Sequence, residues 1–205
     1  MGKGEETRAR IMDIAETSVL AKGFGATSIE EIIVEASITK SGFFYHFKDK
    51  NELAVALLRR YAAAEDIFFD DLQNRARELN DDPLHAFLVF LKLFSELMAD
   101  LPNGHPGCLI ATYCYNERLF DRTVRELTEK SVLSWRTRFR QAFDEIAAVY
   151  PPREPVDLNA LADMVSNTVE GGIIMSKAVH DPQILAEQIL LLRSYVKLLF
   201  QPNIN

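Results

Sequence analysis

The fold of this chain is decided by residues 23–53, which read GFGATSIEEIIVEASITKSGFFYHFKDKNEL. Gly23 before Phe24 predicts the end of a first helix, because glycine tolerates the left-handed conformation that often follows a helix C-terminus. Ser28 is followed three positions later by a glutamate, which is the pattern of a capping box. A second helix is therefore expected to begin at Ile29.

A third short helix is predicted directly after the second. Ser37 and Ile38 form the turn, and Thr39 can cap a helix over residues 40–46. Two short helices joined by a turn of a few residues, with small and polar side chains at the front of the second, are typical of a helix-turn-helix. In that motif the second helix enters the major groove of DNA, with its N-terminal residues at the base edges.

The order of these pieces resembles the N-terminal signature of the tetracycline-repressor (TetR) family of bacterial regulators. Residues 11–24 resemble the first helix of the family. Residues 40–47 resemble its recognition helix, which ends in aromatic residues, and residues 48–53 resemble the start of its fourth helix. The resemblance covers roughly residues 8–58, and beyond them only the length and the helical pattern are similar. Ser37 departs from the family, which usually has glycine there, and a positive φ would strain a serine.

The composition agrees with a soluble regulator of 205 residues. No run of about 18 apolar residues predicts a transmembrane helix, and the N-terminus MGKGEETRAR lacks the apolar segment of a signal peptide. The two cysteines, Cys108 and Cys114, are too few for a disulfide framework. We therefore expect a cytoplasmic protein.

The net charge of −7 is distributed unevenly along the chain. Residues 1–60 hold nine Lys and Arg and nine Asp and Glu, so the acidic excess lies downstream of them. With no net charge on residues 1–60, this segment should bind random DNA weakly. Specific binding should then depend on direct contacts and on two copies of the segment presented by a two-fold symmetric dimer.

Beyond the first three helices the sequence predicts six more helices and no strand. Breaks at 101–107 and 150–155 are rich in proline. Asp82, Asp157 and Asp181 each precede a helical segment as an N-cap, and two of them are followed by proline.

The fold class is therefore all-α, with about nine helices in two parts. Residues 1–50 should form a three-helix, helix-turn-helix DNA-binding domain. Residues 51–205 should form a helical domain that binds an effector and dimerises.

The expected DNA contacts come from the motif and from the resemblance. Residues at the start of the third helix should face bases or the adjacent backbone, while Lys48 and Lys50 should hold phosphates. The resemblance directs Phe44 toward the DNA backbone. Phe43 and Phe47 should instead bury against the first two helices and anchor the recognition helix. The predicted contacts are Thr27, Ser28, Thr39, Lys40, Ser41, Gly42, Phe44, Tyr45, His46, Lys48 and Lys50.

The helix predicted over 83–101 carries more large apolar side chains than one face needs, so it should be buried on most sides. Together with residues of other helices it could line an apolar pocket for a small hydrophobic or aromatic effector. Plain core packing is the alternative. The predicted lining residues are Phe90, Phe94, Tyr113, Trp135, Phe139 and Met164.

The last two predicted helices carry apolar stripes, and the family resemblance implies that these helices form a four-helix dimer interface. Closing the core of the monomer is the alternative. Gly171 and Gly172 lie mid-helix, where small residues permit a close approach of another helix. The stripes consist of Leu158, Leu161, Val165, Val169, Ile173, Ile189, Leu192, Val196 and Leu199.

Catalytic, metal and cofactor sites find little support in the sequence. His85, His105 and His180 lie on separate segments, and the spacing of His105 and Cys108 is a weak metal signal. We interpret the chain as a one-component transcriptional regulator and not an enzyme, with no metal or cofactor. It should be a homodimeric repressor that binds palindromic operator DNA and is released by a small hydrophobic effector. A ligand-independent DNA-binding protein would show no effector response, and a helical enzyme with a vestigial head would show no DNA affinity.

Overall fold

The computed structural model describes residues 2–201, and these form nine α-helices and no strand. The all-α prediction is confirmed. Residues 1 and 202–205, the outermost positions of the two predicted domains, lie outside the described residues. The helices are α1 (Lys3–Lys22), α2 (Ile29–Glu35), α3 (Lys40–His46), α4 (Lys50–Leu79), α5 (Pro83–Ala99), α6 (Leu109–Tyr115), α7 (Arg122–Val149), α8 (Leu158–Val179) and α9 (Gln183–Phe200).

Most helices begin where the sequence places a capping side chain. The carboxylate of Asp82 accepts from the backbone N–H of His85 at 2.9 Å, and Asp157 caps α8 in the same way. Helix α9 differs slightly, because it starts at Gln183 and the preceding proline is its N-cap. The 3-10 turn Glu117–Leu119, before α7, was not predicted.

Two compact units can be distinguished within the described residues. The first contains 2–65 and 108–132, and the second contains 66–107 and 133–201. The first unit thus includes α6 and the beginning of α7 as well as the predicted DNA-binding domain. No helix among residues 2–201 is long and apolar enough to cross a membrane.

The first unit has its own hydrophobic core, in which α1 packs against α2 and α6, and α2 against α3. Its fully buried aromatic side chains include Phe43, Phe47 and Tyr113. The short α3 is therefore held by buried rings, which a helix of this length needs because it is not stable alone.

In the second unit, α9 packs against both α5 and α8. Helix α5 buries nine of its residues, which confirms the prediction that it is covered on most sides. Gly172 of α8 lies so close to α9 that a Cβ there would come within 2.7 Å of Leu185 Cδ1 and 3.1 Å of its Cα. The predicted close approach at Gly172 is therefore present, and it is made to α9 of the same chain.

The prediction for the apolar stripes of α8 and α9 is corrected by their burial. Leu161, Val165, Val169 and Ile173 of α8 lie in the core of the second unit, as do the four stripe residues of α9. These side chains close the monomer core, the alternative stated above, in which α9 packs against both α5 and α8.

Candidate nucleic-acid interface and ligand pockets

The start of α2 is fixed by a capping box. The hydroxyl of Ser28 accepts from the N–H of Glu31 at 3.1 Å, and the Glu31 carboxylate accepts from the N–H of Ser28 at 3.2 Å. Lys22 Nζ donates to the same carboxylate at 2.6 Å. The Lys22 bond, followed by the Ser28 bond, lowers the pKa of Glu31. This arrangement ties α2 to the end of α1.

The turn between α2 and α3 contains a strained residue. Ser37 has φ of 52°, in the region that favours glycine, so the condition that the sequence set for strain is met. The N–H of Ile38 donates to the carbonyl of Ile33 at 3.1 Å and closes the turn.

The side chain of Thr39 shapes the N-terminus of α3. Its hydroxyl accepts from the N–H of Gly42 at 3.1 Å and lies 3.0 Å from the Ser41 hydroxyl. A Cβ on Gly42 would come within 3.3 Å of Thr39 Oγ1. A small residue at this position therefore permits the cap.

Helix α3 presents one buried and one exposed side. Phe43 and Phe47 are buried, with ring centres 5.8 Å apart. Phe44 is 43% exposed and Tyr45 is 83% exposed. The predicted contacts Lys40 and Ser41 on α3, and Lys48 just beyond it, are also exposed, while Ser28, Gly42 and His46 are half-buried.

Thr27 lies in the interior, although it was predicted to contact DNA. Its side chain is 1% exposed. Its hydroxyl donates to the carbonyl of Gly23 at 3.0 Å and lies 3.1 Å from the Ser18 hydroxyl. The side chain closes the connection between α1 and α2 and is not available to DNA in this conformation.

Lys50 also differs from its prediction as a phosphate contact. Its Nζ donates to the carbonyl of Phe24 at 2.6 Å and lies 4.4 Å from the centre of the Phe24 ring. Burial lowers the pKa of Lys50. The ammonium group is thus engaged inside the first unit, whereas Lys48 is exposed.

The Phe24 ring belongs to an aromatic cluster that reaches α6. Its centre lies 4.5 Å from that of Phe120 and 5.6 Å from that of Tyr113. The Tyr113 hydroxyl donates to the carbonyl of Ala54 in α4 at 3.2 Å. Burial raises the pKa of Tyr113, so the hydroxyl remains a neutral donor. A pocket of about 280 Å³ opens beside Tyr113 and Phe120.

The other predicted effector residues lie in the second unit. Phe90, Phe94 and Phe139 are buried, and the partly buried Trp135 has its ring 5.9 Å from that of Phe139. The rings of Phe90 and Phe139 are 6.0 Å apart, so this region consists of packed aromatic side chains. Met164 on α8 is 36% exposed.

Phe90 also lines a cleft of about 180 Å³ in the second unit, together with Phe87. The cleft contains Arg77 and Glu145, whose charged groups are 3.0 Å apart. The structure therefore brings Phe90, Phe94, Trp135 and Phe139 together and leaves Tyr113 in the first unit. Within residues 2–201, no group of three or more His, Cys, Asp or Glu side chains could hold a metal ion.

Comparison with known proteins identifies the part of the chain that contains α2 and α3. Residues 11–57 match the family model described as bacterial regulatory proteins, tetR family. Residues 11–57 are thus similar to the TetR family of bacterial regulatory proteins.

Similar proteins extend the comparison. The HTH-type transcriptional regulator TtgR of Pseudomonas putida is 33% identical over 101 residues, which are 48% of this chain and 46% of TtgR. The chain thus spans about half the length of that relative. The uncharacterized HTH-type transcriptional regulator YxaF of Bacillus subtilis is 24% identical over 90% of this chain and 93% of its own.

A solved structure supports the fold over nearly the whole chain. A TetR-family transcriptional regulator from Agrobacterium tumefaciens aligns with a TM-score of 0.79 at 18% identity and covers 94% of this chain and 98% of its own. The relatives are regulators of transcription and not enzymes.

The sequence interpretation missed a second apolar face on the last two helices of the chain. Ile174 and Met175 on α8, and Leu191, Tyr195 and Leu198 on α9, are exposed. The spacing of the three α9 residues repeats as i, i+4 and i+7, which is a helical stripe that the sequence alone could have revealed. Gly171 lies on the exposed side of α8, and a Cβ there would meet nothing within 4 Å.

Proposed function

We propose that this protein is a TetR-family repressor that binds palindromic operator DNA as a homodimer and is released by a small hydrophobic or aromatic effector. The observation that carries the proposal is α3, whose exposed side bears Phe44, Tyr45 and Lys40 above a base of buried aromatic rings. A recognition helix needs this combination, because its base-contacting side chains must be both accessible and rigidly positioned.

The contacts divide by chemistry. Thr39, Lys40, Ser41 and Gly42 face base edges or the adjacent backbone, and Lys48 holds a phosphate. Phe44 and Tyr45 contribute van der Waals contact with the DNA, and Tyr45 adds a hydroxyl that can donate to a phosphate. The remaining predicted contacts, Ser28 and His46, lie at the ends of α2 and α3, where a backbone phosphate would pass. Bacterial DNA lies in the cytoplasm, which is where such a regulator acts.

A homodimer would form through the exposed faces of α8 and α9. Exposure of apolar side chains to water is unfavourable in free energy. A second copy of the chain that covers the exposed side chains of these adjacent helices would therefore be stabilised on them. The exposed Gly171 would allow the partner helix to approach closely. Two-fold symmetry would place the recognition helices about 34–36 Å apart or at a multiple of that distance.

The effector would release the protein from DNA by shifting the populations of its conformations. A ligand that binds better to a conformation with displaced recognition helices moves the equilibrium away from DNA. The packed aromatic region around Phe90 and Phe139 could open to admit such a ligand. Trp135 borders this region and is the single tryptophan of the chain, so its fluorescence reports on ligand binding there.

DNA binding is tested on fragments that flank the protein's own gene, with fluorescence anisotropy and footprinting. We expect a two-fold symmetric footprint and a large loss of affinity for Tyr45→Ala. Tyr115→Ala is the matched control, because Tyr115 is 80% exposed and lies on α6. Equal losses for the two variants would contradict the assignment of α3 to the major groove.

Dimerisation is tested by sedimentation of Leu191→Glu at micromolar concentration. A charge in the proposed interface should produce monomers without changing the helical content. Leu79→Glu is the matched control, since Leu79 and Leu191 are both 62% exposed. A wild-type chain that sediments as a stable monomer would contradict the proposed dimer.

A further inference from the structure

Helix α3 offers few side chains that can distinguish one base from another by hydrogen bonds. Its sequence KSGFFYH contains no arginine, asparagine, glutamine, aspartate or glutamate within Lys40–His46. Those five residue types, together with lysine, make the characteristic contacts with base edges in the major groove. Within α3, Lys40 is therefore the residue with this capacity.

The hydroxyl groups at the start of α3 are partly engaged with each other. Thr39 Oγ1 accepts from the N–H of Gly42 at 3.1 Å, and it lies 3.0 Å from Ser41 Oγ. One of the two hydroxyl hydrogens is therefore used between Thr39 and Ser41, and one remains for DNA. Because a hydroxyl group both donates and accepts, it can meet donors and acceptors of any base and discriminates weakly.

The Lys40 side chain is available to enter a groove. It is exposed, and within residues 2–201 no ion pair or hydrogen bond joins its ammonium group to another residue. Lys22 and Lys50 differ, because their ammonium groups bind Glu31 and the carbonyl of Phe24. Lys40 is also the first residue of α3, and the first residues of a recognition helix lie at base edges.

The ammonium group of a lysine selects among bases because it has hydrogen-bond donors and no acceptor. In the major groove, guanine presents two neighbouring acceptors, O6 and N7. Adenine presents N7 beside an amino donor, cytosine presents an amino donor, and thymine presents the single acceptor O4 beside a methyl group. Guanine is therefore the base that can accept two hydrogen bonds from Lys40.

We propose that Lys40 specifies a guanine in each half-site of the operator. In a two-fold symmetric complex, the two copies of Lys40 place this guanine at symmetry-related positions on opposite strands. This assignment rests on the proposed function, because it presumes that α3 lies in the major groove. At the other positions α3 offers hydroxyl groups and aromatic rings, so the operator sequence should be less strictly defined there.

The assignment is tested by selecting bound duplexes from a random-sequence library with the wild type, Lys40→Ala and Lys48→Ala in parallel. The wild type should select a palindrome with a guanine at one symmetry-related position of each half-site. Lys40→Ala should select the same palindrome with that position relaxed, whereas Lys48→Ala should keep the guanine and bind all duplexes more weakly. Lys48 is the matched control, because it is also exposed and lies just beyond α3.

A gain of preference is expected from Lys40→Gln. A glutamine side chain pairs with N6 and N7 of adenine, so this variant should select adenine in place of the guanine. Position 40 is exposed, so both of its variants should melt at the wild-type temperature.

The contact with the guanine is measured by titration of the selected duplex. Replacing the guanine by adenine in one half-site should weaken wild-type binding about ten-fold. Replacing it by 7-deazaguanine, which keeps the base pair and lacks the N7 acceptor, should weaken binding about three-fold. Lys40→Ala should bind the three duplexes with equal affinity.

The outcomes separate the base assignment from the proposed function. Retention of the guanine preference by Lys40→Ala would overturn the assignment, and a uniform loss of affinity in that variant would place Lys40 at a phosphate instead. In both cases a palindrome selected by the wild type leaves the proposed function standing. If the wild type selects no sequence, the proposed function fails and the base assignment fails with it.

Discussion

The ammonium group of Lys50 lies 2.6 Å from the carbonyl oxygen of Phe24 and 4.4 Å from the centre of the Phe24 ring. These two residues are 26 positions apart in the sequence. The hydrogen bond satisfies a carbonyl just beyond the end of α1, and the cation also lies against the ring. Lys50 therefore fastens the start of α4 to the end of α1.

This contact changes what is expected of two neighbouring lysines. Lys50→Ala should destabilise the first unit by about 1 kcal/mol, since it removes a charged hydrogen bond and a cation–π contact. Lys48→Ala should leave the melting temperature unchanged and weaken binding to all DNA sequences, with a salt slope lower by about one unit. Thermal melting and DNA titrations at several salt concentrations measure both. Lys50→Ala that melts like the wild type and reduces the salt slope would restore the phosphate assignment.

The second prediction concerns acid stability and Glu31. The bonds from Lys22 and Ser28 place the pKa of Glu31 below its ordinary value of 4.5 in the folded state. A carboxyl with a lowered folded pKa contributes stability above its unfolded pKa, and this contribution is lost as the pH falls through the folded pKa. Between pH 6 and pH 3, Glu31→Gln should therefore lose less stability than the wild type. Chemical unfolding at both pH values measures the difference.

A matched control for this comparison is Glu30→Gln, because Glu30 is the exposed neighbour in the first turn of α2. It should keep the acid dependence of the wild type. An unchanged acid dependence in Glu31→Gln would show that the capping box contributes nothing through charge.

Local signals in the sequence predicted the elements well. Ser28, Thr39 and Asp157 each mark a helix start that depends on neighbouring residues only, and each caps the predicted helix. These features could be predicted because a cap or a turn is decided within a few residues.

The site was predicted less completely, because its contacts are non-local. Nothing near Lys50 in the sequence indicates that its partner is Phe24. The family resemblance placed Thr27 at the DNA, yet its hydroxyl donates to the carbonyl of Gly23 inside the α1–α2 connection. Helix α9 carries two apolar stripes of the same period, and the sequence does not say which of them α5 covers. The stripe of Leu192 and Val196 proved to be the buried one.

The third prediction compares adjacent glycines of α8. Gly172→Ala should destabilise the second unit by about 1–3 kcal/mol, because the new methyl would overlap Leu185 and one of the atoms it meets is backbone. Gly171→Ala should instead stabilise by up to about 1 kcal/mol, since that site is open and alanine favours the helix. Urea unfolding in a Leu191→Glu background separates these effects from dimerisation. Equal effects for the two variants would mean that α8 and α9 do not approach at Gly172.

The fourth prediction separates stability from DNA affinity within α3. Phe47 is buried against the first-unit core, and the Arg8 guanidinium lies 4.9 Å from its ring. Phe47→Ala should therefore destabilise the fold by about 3–5 kcal/mol, the usual cost of deleting a buried ring. Phe44 is only partly covered, so Phe44→Ala should cost DNA affinity and little stability. Thermal melting beside operator binding measures both quantities for both variants. If the two variants lose equal stability, the buried and exposed sides of α3 have been misassigned, and its docking on DNA must be redrawn.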